Sequence, residues 1–361
     1  MPQSQSDPLA AAVQNLLQGC AGARAGERLL MLEEGPALGH YGPGLGDVIA
    51  QGAKALDLVV ERRQVGFSPH PQEPSQAMLL AMAGAQHILY LARIGDQMRF
   101  RALPYAERSV VSYALDLASF SSAFGTIPHG AMLAMKAAIN AAMAAAQEIH
   151  IRCPLGTDLR GRIAPGQSAP PDVGIRRFPM AVFAPVPMAG FSGKVALARF
   201  VLGTGSVYYQ PFLHKLDQVV TVQLSGNRAL RYDGPADVVQ SLLRHIERVA
   251  SAQGLDGHFV HSWHAGIHPG CAYPGRAEDH PERWTCSAFG NPRLLHFHSC
   301  GDDAPGEICW NLLDPTVTLD GVALWEEGRL HPRRIVAGAA VLDACPELAA
   351  CFAAPARAVG L

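Results

Sequence analysis

The sequence predicts an α/β protein: an N-terminal α/β domain built on a parallel sheet, residues 1–155, then a strand-rich α+β C-terminal domain, residues 156–361. Two observations carry this. Short apolar runs alternate with helical stretches over the first 155 residues, the pattern of a parallel sheet covered on both faces. Proline and glycine then cluster between Ile163 and Gly193, which signals loops and a boundary.

The elements follow in order. Leu9–Leu17 has helical periodicity, Arg28–Glu33 reads as a short buried strand, and Gly44–Ala55 as a helix. Leu56–Val65 is a strand, Ser75–Met82 a helix and His87–Arg93 a strand, with a further apolar run at Ser109–Leu115. His129–Gln147 is a long Ala-rich helix and Glu148–Cys153 a strand. Beyond the boundary, Lys194–Leu202, Gln218–Leu224 and Arg228–Tyr232 alternate in strand fashion. A helix opens at Gly234-Pro235-Ala236-Asp237 and stops at Gly254, with proline near its start and glycine just past its end. A second strand-rich stretch runs from His258 to Leu330.

Composition narrows the function classes. Of 361 residues, 49% are hydrophobic and 17% charged, against roughly 25% charged in ordinary soluble domains. A large core is affordable and disorder is excluded. Net charge is -2, and without a Lys/Arg block neither nucleic acid nor an anionic membrane surface is an expected partner. No apolar run reaches the roughly 18 residues that span a bilayer, and Met1–Pro8 lacks the pattern of a secretory signal. The eight cysteines are scattered, so free thiols in the cytoplasm are expected rather than a disulfide framework. Gly42-Pro-Gly-Leu-Gly lacks nucleotide-binding spacing, and the chain has neither a Gly-x-Ser-x-Gly elbow nor a His-Glu-x-x-His helix. Gly156-Thr-Asp158 reads as a turn with an Asp cap in preference to an active-site loop.

The chemistry concentrates near the C-terminal half. His258, His261, His264, His268, His280, His296 and His298 crowd one segment, with Cys271, Cys286, Cys300, Cys309, Asp302, Asp303 and Glu307 nearby. Imidazole suits Fe(II), Zn, Cu and Ni. His296 and His298, two apart on a strand, point to one face. His264-Ala-Gly-Ile-His268 reads as a strand end entering a turn, a common place to present a ligand. The bland alternative is a set of histidines hydrogen-bonded to backbone.

Several segments carry a resemblance in their order and spacing: Ala25-Gly-Glu-Arg-Leu-Leu-Met-Leu, Ala83-Gly-Ala-Gln-His-Ile-Leu-Tyr-Leu, Ile149-His-Ile-Arg-Cys-Pro-Leu-Gly-Thr-Asp-Leu, His264-Ala-Gly-Ile-His-Pro-Gly, Gly290-Asn291 and Thr318-Leu-Asp-Gly321. In that layout the chain resembles a divergent member of the superfamily of aminopeptidase T metallopeptidases and 2,5-dihydroxypyridine 5,6-dioxygenases. The resemblance implies a metal-dependent enzyme, Fe(II) with Zn as the alternative, acting on a small aromatic or N-heteroaromatic substrate by ring-opening oxygenation. A metal-dependent aminopeptidase-like hydrolase and a metal-free relative are the alternatives. It also implies a homodimer or larger. The site is expected in a cleft between the two domains, since domain interfaces are the usual small-molecule sites.

In the dioxygenases the iron is held by one histidine and a later His-x-Asp. The first resembles His264, or His261 if the alignment slips. The pair falls on Glu307-Ile308-Cys309 or, two residues on, on Cys309-Trp310-Asn311. The expectation is therefore that His264, His296 or His298, and Glu307 hold one metal ion. His268 and Cys309 are the candidates for catalytic roles lining the pocket.

Overall fold

The structure, a computed structural model, describes residues 7–70, 73–99, 104–164, 174–302 and 306–361. Asp303, most of Met1–Pro8 and the middle of the Pro- and Gly-rich stretch lie outside those residues. The chain folds into two compact units. One gathers Met1–Leu133, Val173–Met180 and Gly270–Ala272; the other gathers Ala134–Asp172, Ala181–Pro269 and Tyr273–Leu361.

The first unit is built on strands β1 (Arg28–Glu34), β2 (Val59–Val65), β3 (His87–Leu91) and β4 (Ser109–Ser112). They pair in parallel in the order β2-β1-β3-β4, and Arg176–Phe178 adds a fifth parallel strand beside β4. Every residue of the interior strand β3 is buried, as a parallel strand covered on both faces requires. The edge strand β2 is partly exposed and carries Glu61, Arg62 and Arg63, charges that discourage edge pairing. Helices at Leu45–Ala55 and Gln76–Ala83 connect the strands. The first helix of the chain, Pro8–Gln14, continues as a π-helical stretch, Asn15–Cys20.

The second unit is one antiparallel sheet of twelve strands. Counting along the chain, β5 (Ile149–Arg152) and β6 (Asp158–Gly161) precede that edge strand, β7. Then come β8 (Val186–Pro187), β9 (Phe191–Gly203), β10 (Leu213–Ser225), β11 (Arg228–Asp233), β12 (Val260–Ala265), β13 (Leu294–Ser299) and β14 (Ile308–Leu313). β15 (Thr316–Leu319), β16 (Val322–Glu326) and β17 (Arg329–Leu330) complete it. The order is β17-β16-β15-β5-β6-β9-β14-β13-β12-β8, with β10 paired to β9 and β11.

The strand over Glu148–Cys153 departs from the expectation of a parallel partner. It is β5, and it pairs antiparallel with β6 and β15. The reason is local: β5 and β6 are joined by a tight turn, which permits only antiparallel pairing. Gly156 turns at φ 100°, and the Thr157 hydroxyl accepts from the Ala196 N–H at 3.0 Å. Gly156-Thr-Asp158 thus builds a hairpin. The helix Ala236–Gln253 begins after Pro235 and ends on Gly254, whose φ of 67° suits glycine.

Candidate metal centre

Three neighbouring strands build the site. In the pairing of β12 with β13, Ser262 lies opposite His298, Trp263 opposite Phe297 and His264 opposite His296. In the pairing of β13 with β14, His296 lies opposite Asn311, Phe297 opposite Trp310 and His298 opposite Cys309. Side chains directly across a ladder share a face, and neighbours along a strand alternate. One face therefore carries Ser262, His264, His296, His298, Cys309 and Asn311. The other carries Trp263, Phe297 and Trp310, all fully buried. There Trp263 meets Phe183 edge-on with ring centroids 5.8 Å apart. The aromatic face fixes the register, because a slip of one residue would put imidazoles into the apolar core.

His264, His296 and His298 converge. Each offers one ring nitrogen to a set lying within 4.8 Å of one another, and all three residues are buried. The Nε2 atoms of His264 and His296 are 2.6 Å apart. His264 Nδ1 lies 3.0 Å from the Phe183 carbonyl oxygen; donating its proton there leaves Nε2 with a free lone pair, the form that binds metals. His298 turns Nδ1 towards Ser262 Oγ at 3.3 Å, and Ser262 Oγ also meets His261 Nδ1 at 2.8 Å. Phe289 stacks on His296, ring centroids 4.1 Å apart and 13° from parallel.

The other expected residues are placed differently. Glu307 precedes β14 and is not part of the histidine set. Its carboxylate accepts from the Ser206 hydroxyl at 2.9 Å, and burial pushes its carboxyl up to about 7 against hydrogen bonds from Ser206 and Val207. His268 is fully buried just past β12, its backbone N–H bonded to the Gly290 carbonyl. Burial lowers its ring to about 3, so it is neutral near pH 7. Cys309 is buried on the histidine face, across from His298. His261 sits beside a register shift in β12, and His258 and His280 are exposed. Of the two alignments for the family's His-x-Asp pair, Cys309-Trp310-Asn311 has its first and third residues on the histidine face.

A cavity of about 330 Å³ lies in the first unit at the carboxyl ends of β1, β2 and β3, bounded by Glu33, Tyr41, Gly44 and Arg62. Its Arg62 is spent on Glu33 and Asp47, and it holds no histidine.

Neither a protein-family model nor a curated protein sequence matches the chain. Solved structures do. The 2,5-dihydroxypyridine dioxygenase of Pseudomonas putida superposes with a TM-score of 0.58 at 12% identity, over 91% of this chain and 98% of the other. AmpT of Thermus thermophilus superposes with a TM-score of 0.51 at 13% identity, over 90% and 98%. The chain shares their fold. At such identity the likeness is one of architecture, and one of these neighbours is a dioxygenase while the other is an aminopeptidase.

The residues fit a metal ion. Three imidazoles whose nitrogens face one another inside a protein are a coherent nitrogen donor set, with at least one oriented by a backbone carbonyl. Among the described residues no carboxylate belongs to that set. Sequence reading had no signal for Ser262, the Phe183 carbonyl or Phe289. They enter only through strand pairing and ring packing.

Proposed function

We propose that the protein is a mononuclear metal enzyme that acts on a small aromatic or N-heteroaromatic substrate, with ring-opening oxygenation as the reaction. The observation that carries the reading is the cluster of His264, His296 and His298, which among the described residues includes no carboxylate. Two-metal hydrolases hold their ions with bridging carboxylates and clamp both attacking and leaving oxygens. A lone imidazole trio suits one ion with positions left for small ligands.

His264, His296 and His298 would hold Fe(II), or Zn in the alternative. Bound there, the ion supplies Lewis acidity and, as Fe(II), redox capacity. The chain's own residues do the rest. The Phe183 carbonyl holds His264 in one tautomer, Ser262 orients His298, and Phe289 limits rotation of His296. Cys309 and Asn311 complete the face beside the imidazoles. The aromatic layer behind the strands excludes water.

No single helix among the described residues is long and apolar enough to cross a membrane. All eight cysteines are free thiols, which suits a reducing compartment, and the proposal places the enzyme in the cytoplasm. Self-association belongs to it too, with Val336 (91% exposed) and Leu230 (63%) among the apolar side chains a second copy would cover. A monomer mass by light scattering would remove that part.

The test is oxygen consumption by Fe(II)-loaded protein presented with a panel of hydroxylated pyridines and phenols, beside release of amino acids from a peptide panel. Oxygen uptake with ring opening supports the oxygenase. Peptide hydrolysis by the Zn-loaded form, without oxygen uptake, would replace it with the hydrolase.

A further inference from the structure

Asn311 is the polar residue of the histidine face whose chemistry is least accounted for. It stands on β14 directly across from His296, and so shares a face with His264 and His298. Both its polar side-chain atoms, Nδ2 and Oδ1, are cut off from solvent, and neither meets a hydrogen-bond partner among the described residues. Where other residues have a single such atom, Asn311 has a donor and an acceptor unspent together. Burying an unsatisfied polar atom is costly, and each such group calls for an explanation. An apolar residue would avoid the cost, so retention of a carboxamide beside three converging imidazoles points to a ligand.

The geometry of the group says which kind. A carboxamide offers its N–H and its C=O side by side in one plane. Its complement is a group with C=O and N–H side by side, the edge of a cis amide. Linear peptide amides are trans, so their N–H and C=O point in opposite directions and cannot both meet one carboxamide. A ring that contains the amide locks it cis.

We propose that Asn311 is the specificity-determining residue of this site, and that it reads a ring-locked cis-amide edge through two parallel hydrogen bonds. This rests on the reading of the histidine face as a site for a small heterocycle. It also makes Asn311 a contact to the substrate.

The test is calorimetric titration of the full chain with 2-pyridone, with N-methyl-2-pyridone, which lacks the N–H, and with a linear N-acetyl dipeptide methylamide, in which every amide is secondary and trans. The parent is compared with Asn311→Leu and Asn311→Asp, and thermal melts and zinc content are recorded on each. The expected result is that 2-pyridone binds the parent and that Asn311→Leu weakens it about tenfold or more, the equivalent of one to two hydrogen bonds. Asn311→Asp, which keeps an acceptor and loses the donor, weakens it too. N-methyl-2-pyridone binds weakly and equally to all three proteins, and the zinc content of Asn311→Leu matches the parent's. Should Asn311→Leu fail to fold, Asn311→Asp carries the comparison. Equal affinity of parent and variants for 2-pyridone overturns the proposal, as does tighter binding of the linear peptide or no binding of 2-pyridone to the parent. A parent that binds 2-pyridone through Asn311 but takes up no zinc or iron would sink the metal-enzyme reading and leave this contact standing.

Discussion

His264 and His296 are cross-strand partners whose Nε2 atoms lie 2.6 Å apart. His264 gives its Nδ1 proton to Phe183, so its Nε2 faces His296 as a lone pair. Two such nitrogens aimed at each other repel unless a proton or a cation lies between them. With His298 in the same set, the arrangement gains from a cation more than from a proton, which serves only two of the three rings.

Ser262→Ala should lower metal affinity while the fold survives. The hydroxyl is a hydrogen-bond partner of both His298 and His261. Loss of an outer-shell hydrogen bond to a ligating histidine costs on the order of 10–100-fold in affinity. Metal titration and a far-ultraviolet spectrum on the variant check this; an unchanged affinity would mean that His298 is positioned by other contacts.

Cys309→Ala should keep the full metal content. The thiol sits on the histidine face, but it is not among the described residues whose ligand atoms converge. A variant that emerges metal-free would make Cys309 a fourth ligand.

Trp310→Ala should destabilise the protein by about 3–5 kcal/mol, as large-to-small changes at buried aromatic sites do. Trp310 is fully buried on the face opposite the histidines, 6.3 Å from the Phe297 ring. Chemical denaturation measures it, and a cost below about 1 kcal/mol would contradict the packing described, since that is a typical surface value.

Glu307→Gln should stabilise the protein increasingly as pH rises from 5 to 8. Burial raises the Glu307 carboxyl from 4.5 to about 7 in the folded state. Below 4.5 the group is protonated whether the chain is folded or not, and it contributes no pH dependence. Between 4.5 and 7 the unfolded chain gives up the proton and the folded chain keeps it, so stability falls as pH rises. Above 7 the penalty is constant. Glutamine can still accept from Ser206 and carries no such penalty. Melting temperatures of both proteins at pH 5 and pH 8 test the sign; a difference that shrinks with pH would contradict it.

Much of the fold was legible because its elements announce themselves locally. β3 reads as an apolar run in the sequence and is buried throughout. The helix Ala236–Gln253 carries its own start and stop in Pro235 and Gly254. The partner of β5 was not legible, since an apolar strand looks alike in either sheet and only the short turn to β6 decides. At the site, the spacing of His296 and His298 already placed them on one face. Their meeting with His264 depends on register across β12 and β13, which depends in turn on where Trp263 and Phe297 find a core. Glu307 was expected from one of the two registers of the resemblance, and it falls just before β14. The turn before β14 points its carboxylate at Ser206 instead.

The most direct test of the central claim is the metal stoichiometry of protein purified without chelators, measured on the parent and on His264→Ala, His296→Ala and His298→Ala, with a melting curve for each. The account predicts one iron or zinc per parent chain, and loss of that metal in every variant while a cooperative melt is retained. A parent that binds no metal, or variants that all keep it, would contradict the account.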